Sequence, residues 1–215
     1  MICQACNGER GSYEPCGEDY GMVWLACNEC NGTGEVTTHF DELCLAMRLL
    51  ADDPRTIFMG QGVGYDGTTM APTFKGLPAD RLIEMPVAED MQMGMAIGMS
   101  LQGFVPVCVF PRWNFLICAT NQIVNHLDRL SLYSDYRPKV IIRTAVPSTF
   151  PFNPGPQHDD DFTDVFRGML RTVDVVTLHT EAGVVPAYQA ALKSERSSLI
   201  VEYTDRYKDQ RAHEK

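Results

Sequence analysis

Basic residues are in short supply. Lys and Arg number 18 against 28 Asp and Glu, a formal net charge of −10. Nucleic-acid affinity rests largely on cations that neutralise phosphates, so this balance argues against a phosphate backbone as the main partner. A basic start followed by an apolar core is also missing. Met1-Ile2-Cys3-Gln4-Ala5-Cys6 does not read as a secretory signal, and the expected location is cytoplasmic. Long apolar runs are lacking as well. The longest uncharged stretch, 91–110, is broken by Gly94, Gly98, Gly103 and Pro106, so it reads as a buried helix feeding a buried strand and not as a membrane span. With 45% hydrophobic and 21% charged residues, the composition is that of a globular protein and excludes disorder throughout; 215 residues allow one domain plus a small appendage.

Aliphatic residues are scarce in residues 1–36, too few for a core, and such a module needs a staple. Cysteine can supply it. Five of the eight cysteines fall in the first 30 residues, and without a secretion signal such clustering points to metal before disulfides. Cys3-x-x-Cys6 and Cys27-x-x-Cys30 give four soft thiolates, the tetrahedral set of a structural Zn2+ site, with Cys16 as a spare. Reduced cysteines in a loose tail and a redox Cys-x-x-Cys pair are the other readings of this pattern. The segments CQACNGER and CNECNGTG resemble the cysteine-rich repeats of DnaJ-type chaperones, with two repeats where the full region has four. That resemblance implies one closed zinc site, not chaperone activity.

Beyond Val36 the pattern alternates between helix and buried strand. Helices are expected at 38–51, 88–101, 115–134 and 182–194, and strands at 56–59, 105–110, 140–144, 174–178 and 198–203. Unbroken apolar strands between helices predict an α/β fold, a mostly parallel sheet covered on both faces, with ligands at the carboxyl ends of the strands. The expected division is a zinc-ribbon-like module at 1–36 and an α/β body at 37–215. Gly62-Val63-Gly64-Tyr65-Asp66-Gly67 fits the spacing of a dinucleotide fingerprint, but Pro72, Gly76 and Pro78 prevent the helix that motif must open.

Three residues stand out as candidates. Glu89 follows Pro86 where an extended segment enters a glycine-rich helix; taken alone, it is a carboxylate favoured by the helix dipole. Phe115, taken alone, is core, and His158 is a surface histidine beside Asp159, Asp160 and Asp161. Met91, Met95 and Met99 form a stripe that such spacing normally buries in a core.

The body from about Phe40 to Tyr203 resembles the pyrimidine-binding domain of the transketolase family, most closely the beta subunit of pyruvate and branched-chain 2-oxo acid dehydrogenases. The resemblance is carried by Asp53-Pro54-Arg55, by the run from Asp80 to Glu89, and by Gly94-Met95-Ala96-Ile97-Gly98. Asn114-Phe115, Asn121 to Asn125 and Gln157-His158 follow in the same order. It implies that Glu89 hydrogen-bonds the aminopyrimidine of thiamine diphosphate and favours the tautomer that takes up the thiazolium proton. It also implies that Phe115 packs on the pyrimidine and that His158 reaches the substrate as acid or donor. In the family, the Met-bearing helix lies near a subunit interface.

Gln61 and Val109 stand where the family usually has acidic residues, and Gln61 is a candidate cofactor contact. The family's C-terminal domain is expected to be missing. No Gly-Asp-Gly motif exists to hold the diphosphate through Mg2+. The resemblance therefore implies half a site, completed by a pyrophosphate-binding alpha-type subunit in a heteromer such as α2β2, acting on a 2-oxo acid or sugar. The alternative is a non-catalytic, zinc-stapled interaction protein on a degenerate thiamine-enzyme fold.

Overall fold

The structure, a computed structural model, describes residues 2–5, 7–15, 22–26, 37–148 and 153–207. The chain divides into two compact units, residues 1–38 and 39–215. In the first, β1 (Gly11–Pro15) pairs antiparallel with β2 (Met22–Ala26). Cys3 is buried, and its carbonyl accepts the Gly8 N–H at 3.2 Å, a tight turn in which Asn7 takes φ 48°. Cys6, Cys27 and Cys30, and with them the expected zinc set, lie outside the described residues.

The second unit follows the order α1 (His39–Ala51), β3 (Thr56–Gly60), β4 (Leu82–Glu84), α2 (Glu89–Leu101) and β5 (Val105–Phe110). Then come α3 (Trp113–Leu116), α4 (Leu130–Tyr133), β6 (Ile141–Val146), α5 (Thr163–Met169), β7 (Asp174–Thr177), α6 (Glu181–Lys193) and β8 (Ser198–Tyr203). The six strands form one sheet in the order β4-β3-β5-β6-β8-β7, every neighbouring pair parallel. That is the predicted α/β architecture.

Side chains alternate across a strand, so each strand feeds two cores. Val105, Val107 and Val109 of β5 join α1 and α6 on one face; Cys108 and Phe110 join α2, α3 and α5 on the other. All six residues of β5 are buried, which is why this strand reads as a continuous apolar run. Its ladder to β6 starts at Val107, one residue after Pro106, which has no N–H to contribute. The run 91–110 is a helix with one buried and one exposed face feeding a buried strand, turned by Gly103 at φ +90°. Among the described residues, no helix is long and apolar enough to cross a membrane.

Three expectations need correction. The helix expected at 115–134 is broken into α3, a 3-10 turn at Ile117–Ala119, a π-helical segment at Gln122–Leu127, and α4. Thr120, Asn121, Ile123, Val124 and Asn125 are weak helix formers, and Asn125 Nδ2 bonds Asn121 Oδ1 at 2.9 Å. Of the methionine stripe, only Met99 packs against the core. α2 buries Glu89, Gln92, Met93, Ala96, Ile97 and Ser100, leaving Met91 and Met95 44% and 42% exposed. The short elements β4 and α5 have no counterpart in the sequence reading; α5 starts beside Asp161, whose Oδ1 accepts the Thr163 N–H at 2.9 Å.

A buried ion pair joins two central strands. Arg143 on β6 donates from Nε and Nη2 to the Glu202 carboxylate on β8 at 2.5 and 2.9 Å, and from Nη1 to Thr73 Oγ1 at 2.7 Å. The Tyr188 and Tyr207 hydroxyls also donate to Glu202. Burial alone would discharge Arg143, but Glu202 outweighs it and holds the guanidinium firmly charged.

Candidate functional site

The parallel register sets Gly60, Glu84 and Val109 side by side at the carboxyl edge of the sheet. The chain leaves β3 toward β4 on one side and leaves β5 toward β6 on the other. The crevice between the β3 and β5 exits is thus a topological switch point, where open α/β sheets bind ligands. A cleft of about 1240 Å3 lies there, lined by residues that follow β3, β4 and β5, including Gln61, Tyr65, Lys75, Glu84, Arg112 and Phe115.

Gly60 makes this edge possible. Its φ is +152°, and a Cβ there would sit 2.2 Å from the Val109 carbonyl oxygen, so only glycine lets the two strand ends close up. The next residue, Gln61, donates from Nε2 to Glu89 Oε1 at 3.0 Å. Glu89 opens α2 and is buried, 7% exposed. Its Oε2 has no protein donor among the described residues. The structure thus presents a buried carboxylate at a helix N-terminus, with one oxygen oriented by protein and one uncommitted. Gln92, one turn on, donates to the Val109 carbonyl at 2.9 Å and ties α2 to β5.

Phe115 sits on α3, half-buried and lining the cleft. His158 lies against it, with ring centroids 5.7 Å apart. The loop that carries His158 is tied down: Asp160 Oδ2 accepts from Asn114 Nδ2 at 3.1 Å, and Asp161 Oδ1 accepts the Thr163 N–H at 2.9 Å where α5 begins. Two of the three aspartates beside His158 therefore hold structure. His158 Nδ1 is buried without a hydrogen-bond partner among the described residues. The structure brings Glu89 together with Gln61, and Phe115 together with His158.

The glycine-rich loop after β3 binds an internal anion. The amides of Gly62, Val63 and Gly64 all donate to the Glu84 carboxylate at 2.8 Å, and the segment that follows is only a short 3-10 turn, Ala71–Phe74. Where a dinucleotide phosphate would sit, the chain has placed its own carboxylate. Sequence reasoning did not find Glu84, because its partners lie 20–22 residues away and meet it only through strand pairing. Among the described residues, no group of three or more His, Cys, Asp or Glu could hold a metal ion.

Comparison with known proteins agrees with this architecture. The family described as transketolase, pyrimidine binding domain matches residues 42–207. The pyruvate dehydrogenase E1 component subunit beta of Staurastrum punctulatum is 27% identical over 155 residues, covering 70% of this chain and 47% of that protein. A 3-methyl-2-oxobutanoate dehydrogenase subunit beta of Mycobacterium tuberculosis is 30% identical over 115 residues, 52% of this chain and 33% of that protein. The chain thus spans less than half the length of these relatives. Among solved structures, a transketolase from Campylobacter jejuni superposes with a TM-score of 0.62 at 15% identity, over 76% of this chain and 25% of that one. A split gene transketolase, described as an inactive beta4 tetramer, gives 0.58 at 17% identity, over 79% and 52%. At these identities the superpositions show the fold.

Proposed function

The chain belongs to the transketolase pyrimidine-binding domain family, and from that membership we propose that it supplies the pyrimidine half of a thiamine diphosphate site in an enzyme that cleaves a C–C bond of a 2-oxo acid or ketose. The observation that carries this reading is the Glu89 carboxylate, buried at the start of α2 with Oε1 on Gln61 and Oε2 uncommitted. Thiamine diphosphate, when bound, supplies the electron sink for C–C cleavage.

The residues present fit the pyrimidine end of that cofactor. Glu89 holds a ring nitrogen and exchanges a proton there, Gln61 fixes the carboxylate's orientation, and Phe115 gives an apolar surface for the ring. His158, held beside Phe115, serves as donor to the substrate. The diphosphate end has no fit in this chain. It lacks Gly-Asp-Gly, so Mg2+ and the diphosphate fall to a pyrophosphate-binding partner subunit. The exposed face of α2, with Met91, Met95 and two glycines whose added Cβ would meet nothing within 4 Å, suits close packing against that partner in a hetero-oligomer such as α2β2.

The N-terminal cysteines Cys3, Cys6, Cys27 and Cys30 are read as one structural Zn2+ site on their spacing. Metal analysis of the purified chain tests this: one zinc per chain, lost in a Cys27→Ser, Cys30→Ser double variant, is the expected result. For the cofactor, calorimetry with thiamine diphosphate and Mg2+ is expected to show binding only when the partner subunit is present. Binding in neither preparation overturns the catalytic reading.

A further inference from the structure

The cleft at the β3/β5 switch point carries two cations, Arg112 and Lys75, whose side chains no other described residue engages. Arg55, Arg129, Arg143, Arg167 and Arg196 each pair with a carboxylate, and Arg81 and Arg137 donate to carbonyl oxygens; Arg10, Arg48, Arg171 and Arg206 have no such partner among the described residues, but none of them lines the cleft. Arg112 has no such partner either. Its backbone is fixed, because its carbonyl accepts the N–H groups of Phe115 and Leu116 at 3.2 Å each. Arg112 lines the cleft, and its side chain has no hydrogen-bond or ion-pair partner among the described residues. Lys75, from the loop that follows β3, lines the same cleft and is likewise unengaged.

The two carboxylates that line the cleft differ. Glu84 spends its charge on the amides of Gly62, Val63 and Gly64 at 2.8 Å. Asp66 is exposed, and only it is available to compete for Arg112. A free guanidinium is a planar fork suited to a carboxylate or phosphate, and two residues separate Arg112 in sequence from Phe115. The cleft volume of about 1240 Å3 leaves space for a substrate tail beside the pyrimidine half of a cofactor.

We propose that Arg112, with Lys75 as second cation, makes this cleft selective for substrates that carry an anionic group, carboxylate or phosphate, remote from the reacting carbonyl. The proposal rests on the reading above for the words "reacting carbonyl" alone; the anion site itself needs neither cofactor nor partner.

The test titrates the full chain, without thiamine diphosphate or partner, with three probes followed by ligand-observed NMR. 2-Oxoglutarate carries a remote carboxylate, fructose 6-phosphate a remote phosphate, and 2-oxobutyrate neither. Saturable binding of at least one anion-tailed probe is expected, together with weaker binding of 2-oxobutyrate. The anion-tailed probe that binds identifies the source of the charge. Arg112→Ala should weaken that binding by about tenfold or more, the scale of a charge-assisted hydrogen bond, while Arg112→Lys restores part of it. Asp66→Asn should strengthen it by removing the competing carboxylate. Equal affinity for all three probes, no saturable binding, or a folded Arg112→Ala variant that binds as wild type overturns the proposal. None of these outcomes touches the role of Glu89, which is read from cofactor binding in the heteromer.

Discussion

Gln61 Nε2 lies 3.0 Å from Glu89 Oε1, joining the residue that leaves β3 to the residue that opens α2. Twenty-eight positions apart in sequence, they meet because β3 and α2 end and begin at the same edge of the sheet. Gln61→Leu strips the buried carboxylate of its only side-chain donor among the described residues and should lower the unfolding free energy by about 1–3 kcal/mol in urea titrations. Gln61→Glu should also destabilise, by setting two carboxylates against each other. A Gln61→Glu variant as stable as wild type at neutral pH contradicts this account.

Gly60 is predicted to be intolerant of any side chain. Gly60→Ala drives a methyl into the Val109 carbonyl at 2.2 Å and asks alanine for φ +152°. The strands must part where Gln61 is set, so a loss of several kcal/mol is expected, at the large end for single substitutions. Chemical denaturation measures it directly.

Arg143→Met should cost about 3–5 kcal/mol, because it leaves the Glu202 carboxylate buried with only tyrosine hydroxyls as donors. The variant also frees Thr73, whose turn at Ala71–Phe74 forms part of the cleft wall. A loss under 1 kcal/mol would show that the tyrosines alone suffice.

Cys108 offers a pH test. Burial pushes its thiol from an ordinary 9.0 up to about 12, against a smaller opposing effect of the Gln92 amide 3.3 Å away. A group whose folded pKa is raised contributes stability that is fully present below the unfolded value. It is lost as pH rises toward the folded value. Wild type should therefore lose stability relative to Cys108→Ala as pH climbs from 9 toward 12. Alkylation of the native protein, mapped by mass spectrometry, should label the exposed Cys118 and spare Cys108.

The parts of the fold legible in the sequence were those governed by short-range pattern. β5 and β8 fall where their apolar runs place them, because a central parallel strand is buried on both faces and shows no alternation. β4 is three residues on an edge, too short to carry a period. The segment 113–133 kept its helical texture but not its continuity, since single-residue propensity does not forecast a π insertion. Within the site, Glu89 and Phe115 were legible because they sit in recognisable local runs. Glu84 and Arg112 were not, because strand register and the absence of other partners give them their meaning.

We propose that the Glu89 carboxylate activates the pyrimidine of thiamine diphosphate in the assembled heteromer. The most direct measurement is exchange of the cofactor's thiazolium C2 proton for deuterium in the heteromer with Mg2+, comparing wild type with Glu89→Gln at saturating cofactor. Glutamine preserves the shape and the Gln61 contact but cannot exchange a proton. The account predicts that exchange slows by about 100-fold or more, the scale of a lost acid–base group, while Glu89→Gln still assembles with its partner. Exchange at the wild-type rate in an assembled, cofactor-saturated Glu89→Gln heteromer would contradict it.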